Sequence, residues 1–123
     1  MSELKDRFGR KIDYLRISVT DRCNLNCKYC VPQKSVHKIM NEYEIIKAAR
    51  LFGNAGISRF KITGGEPLLR DDIGRILKGI RPFAKSLTIT TNGILLDERD
   101  ISAVDSVNIS LDTLDPKRYA MLT

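Results

Sequence analysis

Cys23, Cys27 and Cys30 fall within one short run, Cys23-Asn24-Leu25-Asn26-Cys27-Lys28-Tyr29-Cys30, and the 123-residue chain has only these three cysteines. An odd, closely spaced set argues against a disulfide framework and for metal or redox chemistry. The C-x3-C-x2-C spacing lets one loop wrap a single metal centre. Iron–sulfur clusters take thiolate ligands, and a 4Fe–4S cluster has four irons to satisfy. Three thiolates would leave one iron open to a small molecule, much as a catalytic zinc keeps an open position. Two other readings stand beside this one. His37 could complete a tetrahedral zinc site, or the three cysteines could be buried and reduced without any metal.

Three further motifs could bear on ligands: Gly64-Gly65-Glu66-Pro67, Thr90-Thr91-Asn92-Gly93 and Ser110-Leu111-Asp112. Each also has an ordinary explanation. Gly-Gly eases a tight turn, Asn-Gly makes one, and Ser-Leu-Asp can lead into a helix cap. Glu66, a carboxylate in a glycine-rich turn, suits an ammonium group or the capping of the next helix. Arg16, at a strand end, can make paired charge-assisted hydrogen bonds to phosphate or simply snorkel to solvent.

The elements that must position these residues alternate along the chain. Leu15 to Thr20 alternates apolar and polar, which predicts a strand. Asn41 and Glu44 form a capping box for a helix with Ile45, Ala48, Ala49 and Phe52 on one face, ending near Gly56. Arg59 to Thr63 reads as a second strand. A helix then opens at Asp71-Asp72, presents Ile73, Ile76, Leu77 and Ile80, and stops at Pro82. Ser86 to Thr91 is a third strand, followed by a short helix near Asp97–Ala103. Ser106 to Leu111 is a fourth strand, and Asp115-Pro116 opens a last helix.

This order implies a parallel α/β sheet in one domain over residues 1–123, with all four motifs at the C-terminal ends of strands, where such folds bind ligands. The sequence stops about two turns into its last helix, which predicts a fragment of a longer barrel-like protein.

Hydrophobic residues make up 42% and charged residues 29% of the chain, an ordinary globular composition. No apolar run approaches the ~20 residues of a membrane span, and the start is too polar for a signal peptide, so a cytoplasmic protein without a membrane partner is expected. Most of the net charge of +6 lies in the first 50 residues. That bias suits an anionic partner or a solvated surface. The basic residues are not interleaved with aromatics, so nucleic acid is not expected.

Taken together, the motifs resemble the radical S-adenosylmethionine superfamily, whose signature is C-x3-C-x-aromatic-C, with Tyr29 at the aromatic position. Phe8-Gly9-Arg10 and the run Tyr14-Leu15-Arg16-Ile17-Ser18-Val19-Thr20-Asp21-Arg22-Cys23-Asn24 further resemble the GTP 3′,8-cyclase family, which begins molybdenum-cofactor synthesis. The resemblance implies a partial (β/α) barrel comprising the first four βα units of such a core. It implies that Cys23, Cys27 and Cys30 ligate a 4Fe–4S cluster whose open iron chelates S-adenosylmethionine. Tyr29 would border the adenine, Gly64 and Gly65 would admit the methionine part, its ammonium would lie near Glu66, and Ser110 would touch the same cofactor. Arg16, Lys61 and Thr90 would hold GTP.

The implied reaction is that of a lyase. One electron from a reduced donor cleaves S-adenosylmethionine to a 5′-deoxyadenosyl radical, which takes hydrogen from the ribose C3′ of GTP before C8 is attacked. Homodimer formation is left open. The sequence departs from the cyclase pattern at Lys61, where Arg is expected, at Val31-Pro32, and in the short segment leading to Asn41. The second cysteine set of the cyclases is not in this sequence. The rival readings are another radical S-adenosylmethionine enzyme, such as a peptide-modifying maturase, and a non-catalytic zinc or iron–sulfur binding fragment.

Overall fold

The computed structural model describes residues 3–24, 38–111 and 113–122. Its centre is a four-stranded sheet, β1 (Tyr14–Ser18), β2 (Arg59–Thr63), β3 (Ser86–Thr91) and β4 (Ser106–Ile109). The strands lie in sequence order and every neighbouring pair is parallel. Two helices, α1 (Glu42–Asn54) and α2 (Ile73–Ile80), make the crossovers between the first three strands, and α3 (Pro116–Leu122) follows β4. Among the described residues, no helix is long and apolar enough to cross a membrane.

Alternation along the strands sorts the sheet into two faces. Ile17, Phe60, Ile62, Leu87 and Ile89 point into a core completed by Ile45 and Ala49 of α1 and by Ile73, Ile76, Leu77 and Ile80 of α2. Each of the buried Ile, Leu and Phe side chains stabilises the fold by about 1.5–3 kcal/mol, Ala49 by less. The opposite face carries Arg16, Lys61, Thr63, Thr88, Thr90 and Asn108, all exposed or half-buried. A parallel sheet normally buries both faces in apolar contacts, so this polar face departs from the usual pattern.

Helix α1 starts as its sequence dictates. The Asn41 side chain accepts a hydrogen bond from Glu44 N, and the Glu44 carboxyl accepts one from Asn41 N. Gly56, with φ of 108°, ends the helix region and turns the chain so that Ile57 enters the core. Phe52, expected on the apolar face, is instead 43% exposed, whereas Ile57, just past the helix, is buried. For α3, Asp115 caps the first turn, its carboxyl accepting from Lys117 N.

Three expected elements change length. β1 ends at Ser18 and β4 at Ile109, each two residues early, although Val19 N and Ser110 N still donate to the neighbouring strands' ends at Thr63 and Thr91. The short helix expected near Asp97–Ala103 is only a 3-10 turn, Leu96–Glu98. Asp100 explains its end. Its carboxyl takes both the backbone N–H and the hydroxyl of Ser102, a local turn that competes with helix.

Candidate cofactor and anion site

The described parts of the four motifs, Cys23-Asn24, Gly64 to Pro67, Thr90 to Gly93 and Ser110-Leu111, stand at the C-terminal edge of the sheet, as their sequence positions imply. Past the end of β1, residues 19–22 continue alongside residues 63–66 in a ladder of three bonds. Val19 N donates to Thr63 O, Gly65 N to Thr20 O, and Glu66 N to Arg22 O, all within 2.7–2.9 Å. This close approach is why both glycines are needed. A Cβ on Gly64 would lie 2.6 Å from Thr20 O, and one on Gly65 would overlap the Arg22 carbonyl outright. The pair thus packs the stem of the cysteine loop, a role that the turn reading alone did not reveal.

Cys23 is exposed at the top of that stem. Its neighbours on both sides are held: Arg22 through its carbonyl, and Asn24 through its side-chain carbonyl, which accepts from Asn92 Nδ2 at 2.6 Å. Cys27, Tyr29, Cys30, Val31, Pro32, His37 and Asp112 lie outside the described residues. Among the described residues no other group of His, Cys, Asp or Glu gathers for a metal. The donor set fits an iron–sulfur cluster on two grounds: its sulfurs come from one short run, and the first of them is exposed at the end of a hydrogen-bonded stem.

Glu66 is buried, with 1% of its surface exposed. Its carboxyl accepts from Leu68 N at 3.1 Å, from the Thr91 hydroxyl at 2.5 Å and from Asn92 N at 2.7 Å. The side chain therefore caps the 3-10 turn Pro67–Leu69 and ties it to the end of β3. Any contact with an ammonium group would come from the turn that this carboxyl shapes. Asn92 closes the same corner: its side-chain oxygen accepts from Ile94 N, and Gly93 takes φ of 86°.

The residues expected to hold an anion are together on the polar face. Arg16 of β1 and Lys61 of β2 are register partners, and Lys61 is in turn the partner of Thr88. Neither cation enters an ion pair among the described residues. Like charges side by side on neighbouring strands repel, and a bound polyanion would relieve that cost. Thr90 lies on the same face, with a covered hydroxyl that has no hydrogen-bond partner among the described residues, and the same holds for the buried Asp21 Oδ1. Ser110 is exposed just after β4, its N–H bound to Thr91 O.

Sequence reasoning missed three contributors: Asn24 with Asn92, Thr91 as the partner of Glu66, and Arg70. Arg70 donates to Val19 O, Met40 O and the Asp72 carboxyl. Its place a few residues after the Gly-Gly-Glu-Pro turn was the only available signal, because its partners are distant in sequence.

A family model described as the Radical SAM superfamily matches residues 17–123. The chain is 46% identical, over 98% of its length, to "Probable GTP 3′,8-cyclase" of Pyrococcus abyssi, and 44% identical, again over 98%, to "GTP 3′,8-cyclase, mitochondrial" of Arabidopsis thaliana. It spans 41% and 34% of those relatives' lengths. Among solved structures it is similar to Streptococcus suis SuiB bound to precursor peptide SuiA, with a TM-score of 0.77 at 25% identity, over 89% of this chain and 26% of that one. SuiB bound to S-adenosylmethionine gives 0.75 at 26% identity, over 89% of this chain and 27% of that one.

Proposed function

We propose that this chain, which belongs to the Radical SAM superfamily, carries the cluster-binding and cofactor-binding part of a GTP 3′,8-cyclase acting in molybdenum-cofactor biosynthesis. The observation that supports a nucleotide substrate is the unneutralised pair Arg16 and Lys61 on the polar sheet face, beneath the edge that presents Cys23. The likeness to proteins bearing the cyclase name supports the choice of GTP.

In this reading Cys23, Cys27 and Cys30 hold a 4Fe–4S cluster, with S-adenosylmethionine alongside. When bound there, the pair supplies a 5′-deoxyadenosyl radical by one-electron cleavage of a sulfur–carbon bond. The protein's own work is positioning. The ladder between residues 19–22 and 63–66 fixes where Cys23 projects. Gly64 and Gly65 carry no side chain to block the methionine moiety near the Glu66 turn, Tyr29 borders the adenine, and Ser110 contacts the cofactor from just beyond β4.

Arg16 grips phosphate oxygens through its planar fork, and Lys61 adds a point charge rather than a second fork. The unpaired Thr90 hydroxyl offers a hydrogen bond to the same ligand. Such fixed placement matters because a primary radical takes hydrogen from the nearest C–H bond, so a small displacement redirects the reaction. A reduced electron donor is the partner, and the cytoplasm, which keeps thiols reduced, is the compartment.

A second reading, a peptide substrate, draws on the likeness to SuiB. The two readings separate in one assay, 5′-deoxyadenosine production by the anaerobically reconstituted protein with and without GTP. The cyclase reading expects stimulation by GTP. Cleavage by a loaded protein that ignores GTP would leave the superfamily chemistry and remove the cyclase. Replacing Arg16 by Ala is expected to weaken GTP binding about tenfold or more, roughly 1.4 kcal/mol, while cleavage without GTP persists.

A further inference from the structure

We infer that Arg70 is a positioning residue for the cysteine loop, a clasp that fixes the distance between the loop's two ends. The inference rests on the reading that this loop holds an iron–sulfur cluster. Arg70 Nη1 donates to Val19 O at 2.8 Å, on the chain entering the loop, and to Met40 O at 2.7 Å, on the chain leaving it. One nitrogen thus bridges two carbonyls that are 21 positions apart in sequence.

The guanidinium is aimed by a second contact. Its Nε and Nη2 donate in parallel to the two carboxyl oxygens of Asp72, both at 2.8 Å. Asp72 sits at the N-cap position of α2 yet makes no side-chain capping bond to that helix. Its carboxyl is committed to the arginine instead. Both side chains are largely covered, at 13% and 21% exposed. The bidentate pair fixes the plane of the guanidinium, leaving Nη1 pointed at the two loop ends.

The clasp also belongs to the segment that supports the stem from its other side. Gly65 and Glu66 ladder onto residues 20–22, and Arg70 follows them after one 3-10 turn. A displacement at Val19 or Met40 would pass directly to the ends from which the thiolate-bearing run departs. A site with only three thiolates depends on their spacing, since no fourth holds the cluster if one drifts. Lysine is a poor substitute, because its ammonium, although it has three donors, lacks the planar fork that pairs with both Asp72 oxygens and so sets the direction of the remaining donors.

The test compares Arg70→Lys and Arg70→Gln with Arg75→Gln, which breaks an exposed ion pair between α2 and Glu42 of α1. Each protein is reconstituted anaerobically with iron and sulfide. The readouts are metal content, the rate at which a chelator strips iron, and the electron paramagnetic resonance of the reduced cluster. Amide hydrogen exchange is followed in the metal-free proteins. Both Arg70 variants are expected to lose iron at least tenfold faster than the parent and to show an altered spectrum, with Lys giving no rescue.

Exchange is expected to rise at residues 19–24 and 38–41 and to stay unchanged in β3, with Arg75→Gln behaving as the parent. Parent-like iron loss in the Arg70 variants would overturn the inference. So would full rescue by Lys, or an exchange increase spread evenly over the sheet, which would mark a merely structural role. Failure of the unmodified protein to take up iron and sulfide would remove the cluster reading itself, and is seen without any variant.

Discussion

At Gly65 the backbone of Arg22 passes where a side chain would have to stand. Gly65→Ala is therefore expected to destabilise the fold by about 1–3 kcal/mol, read from a urea unfolding midpoint, by forcing the two laddered segments apart. Glu66 makes a different prediction. Its carboxyl accepts three hydrogen bonds, so Glu66→Gln would turn an amide donor toward a donor from Leu68, Thr91 or Asn92. A loss of about 1–3 kcal/mol is expected, and an unchanged midpoint would mean that the corner at β3 does not need its acceptor. The sequence made both positions visible as a motif and disclosed part of their roles. Gly-Gly-Glu-Pro reads as a tight turn whose carboxylate suits an ammonium group or caps the next element, and the cap to Leu68 N is present. Nothing local says that residues 20–22 and 91–92 close on the same turn.

Elements whose signals are local were legible almost residue by residue. β2 and β3 begin and end where alternation predicts, and α1 begins at its capping box. Asn41→Ala is expected to cost about 1 kcal/mol, measured by thermal or urea unfolding, because it removes the acceptor for Glu44 N. Elements set by competition were misread. The helix expected near Asp97–Ala103 loses to the Asp100–Ser102 turn, a choice between local bonds that periodicity does not weigh. Contact between α1 and α2 was likewise invisible. A Cβ on Gly79 would overlap the Ile46 side chain, so these helices meet through the glycine. Gly79→Ala should thus destabilise despite alanine's better helix propensity, and adding Ile46→Ala should recover part of the loss. Additive losses in the double variant would contradict that contact.

Across the molecule, carboxyl groups tie elements together and carry an acid dependence. Hydrogen bonding from Arg70 holds the Asp72 carboxyl below its usual range, and Arg59 and Arg81 do the same for Asp13 and Asp105. A carboxyl whose pKa is depressed by folding stabilises above its unfolded value, near 3.9, and loses that contribution as pH falls through the lower folded value. The melting temperature is therefore expected to stay level from about pH 8 to 5 and to fall below about pH 4. The exposed pairs contribute little of this, since solvent screens them. The parallel sheet, the motif-bearing edge and the polar face follow from sequence order and alternation, whereas the stem, the Asn24–Asn92 link and the Arg70 clasp depend on distant contacts. The proposed chemistry depends above all on an iron–sulfur cluster held at this edge by Cys23, Cys27 and Cys30. Its most direct test is metal and sulfide analysis of the anaerobically reconstituted protein beside Cys27→Ala. About four iron and four sulfide per chain are expected, with absorbance near 400 nm, all lost in the variant. One zinc per chain and no sulfide would contradict it.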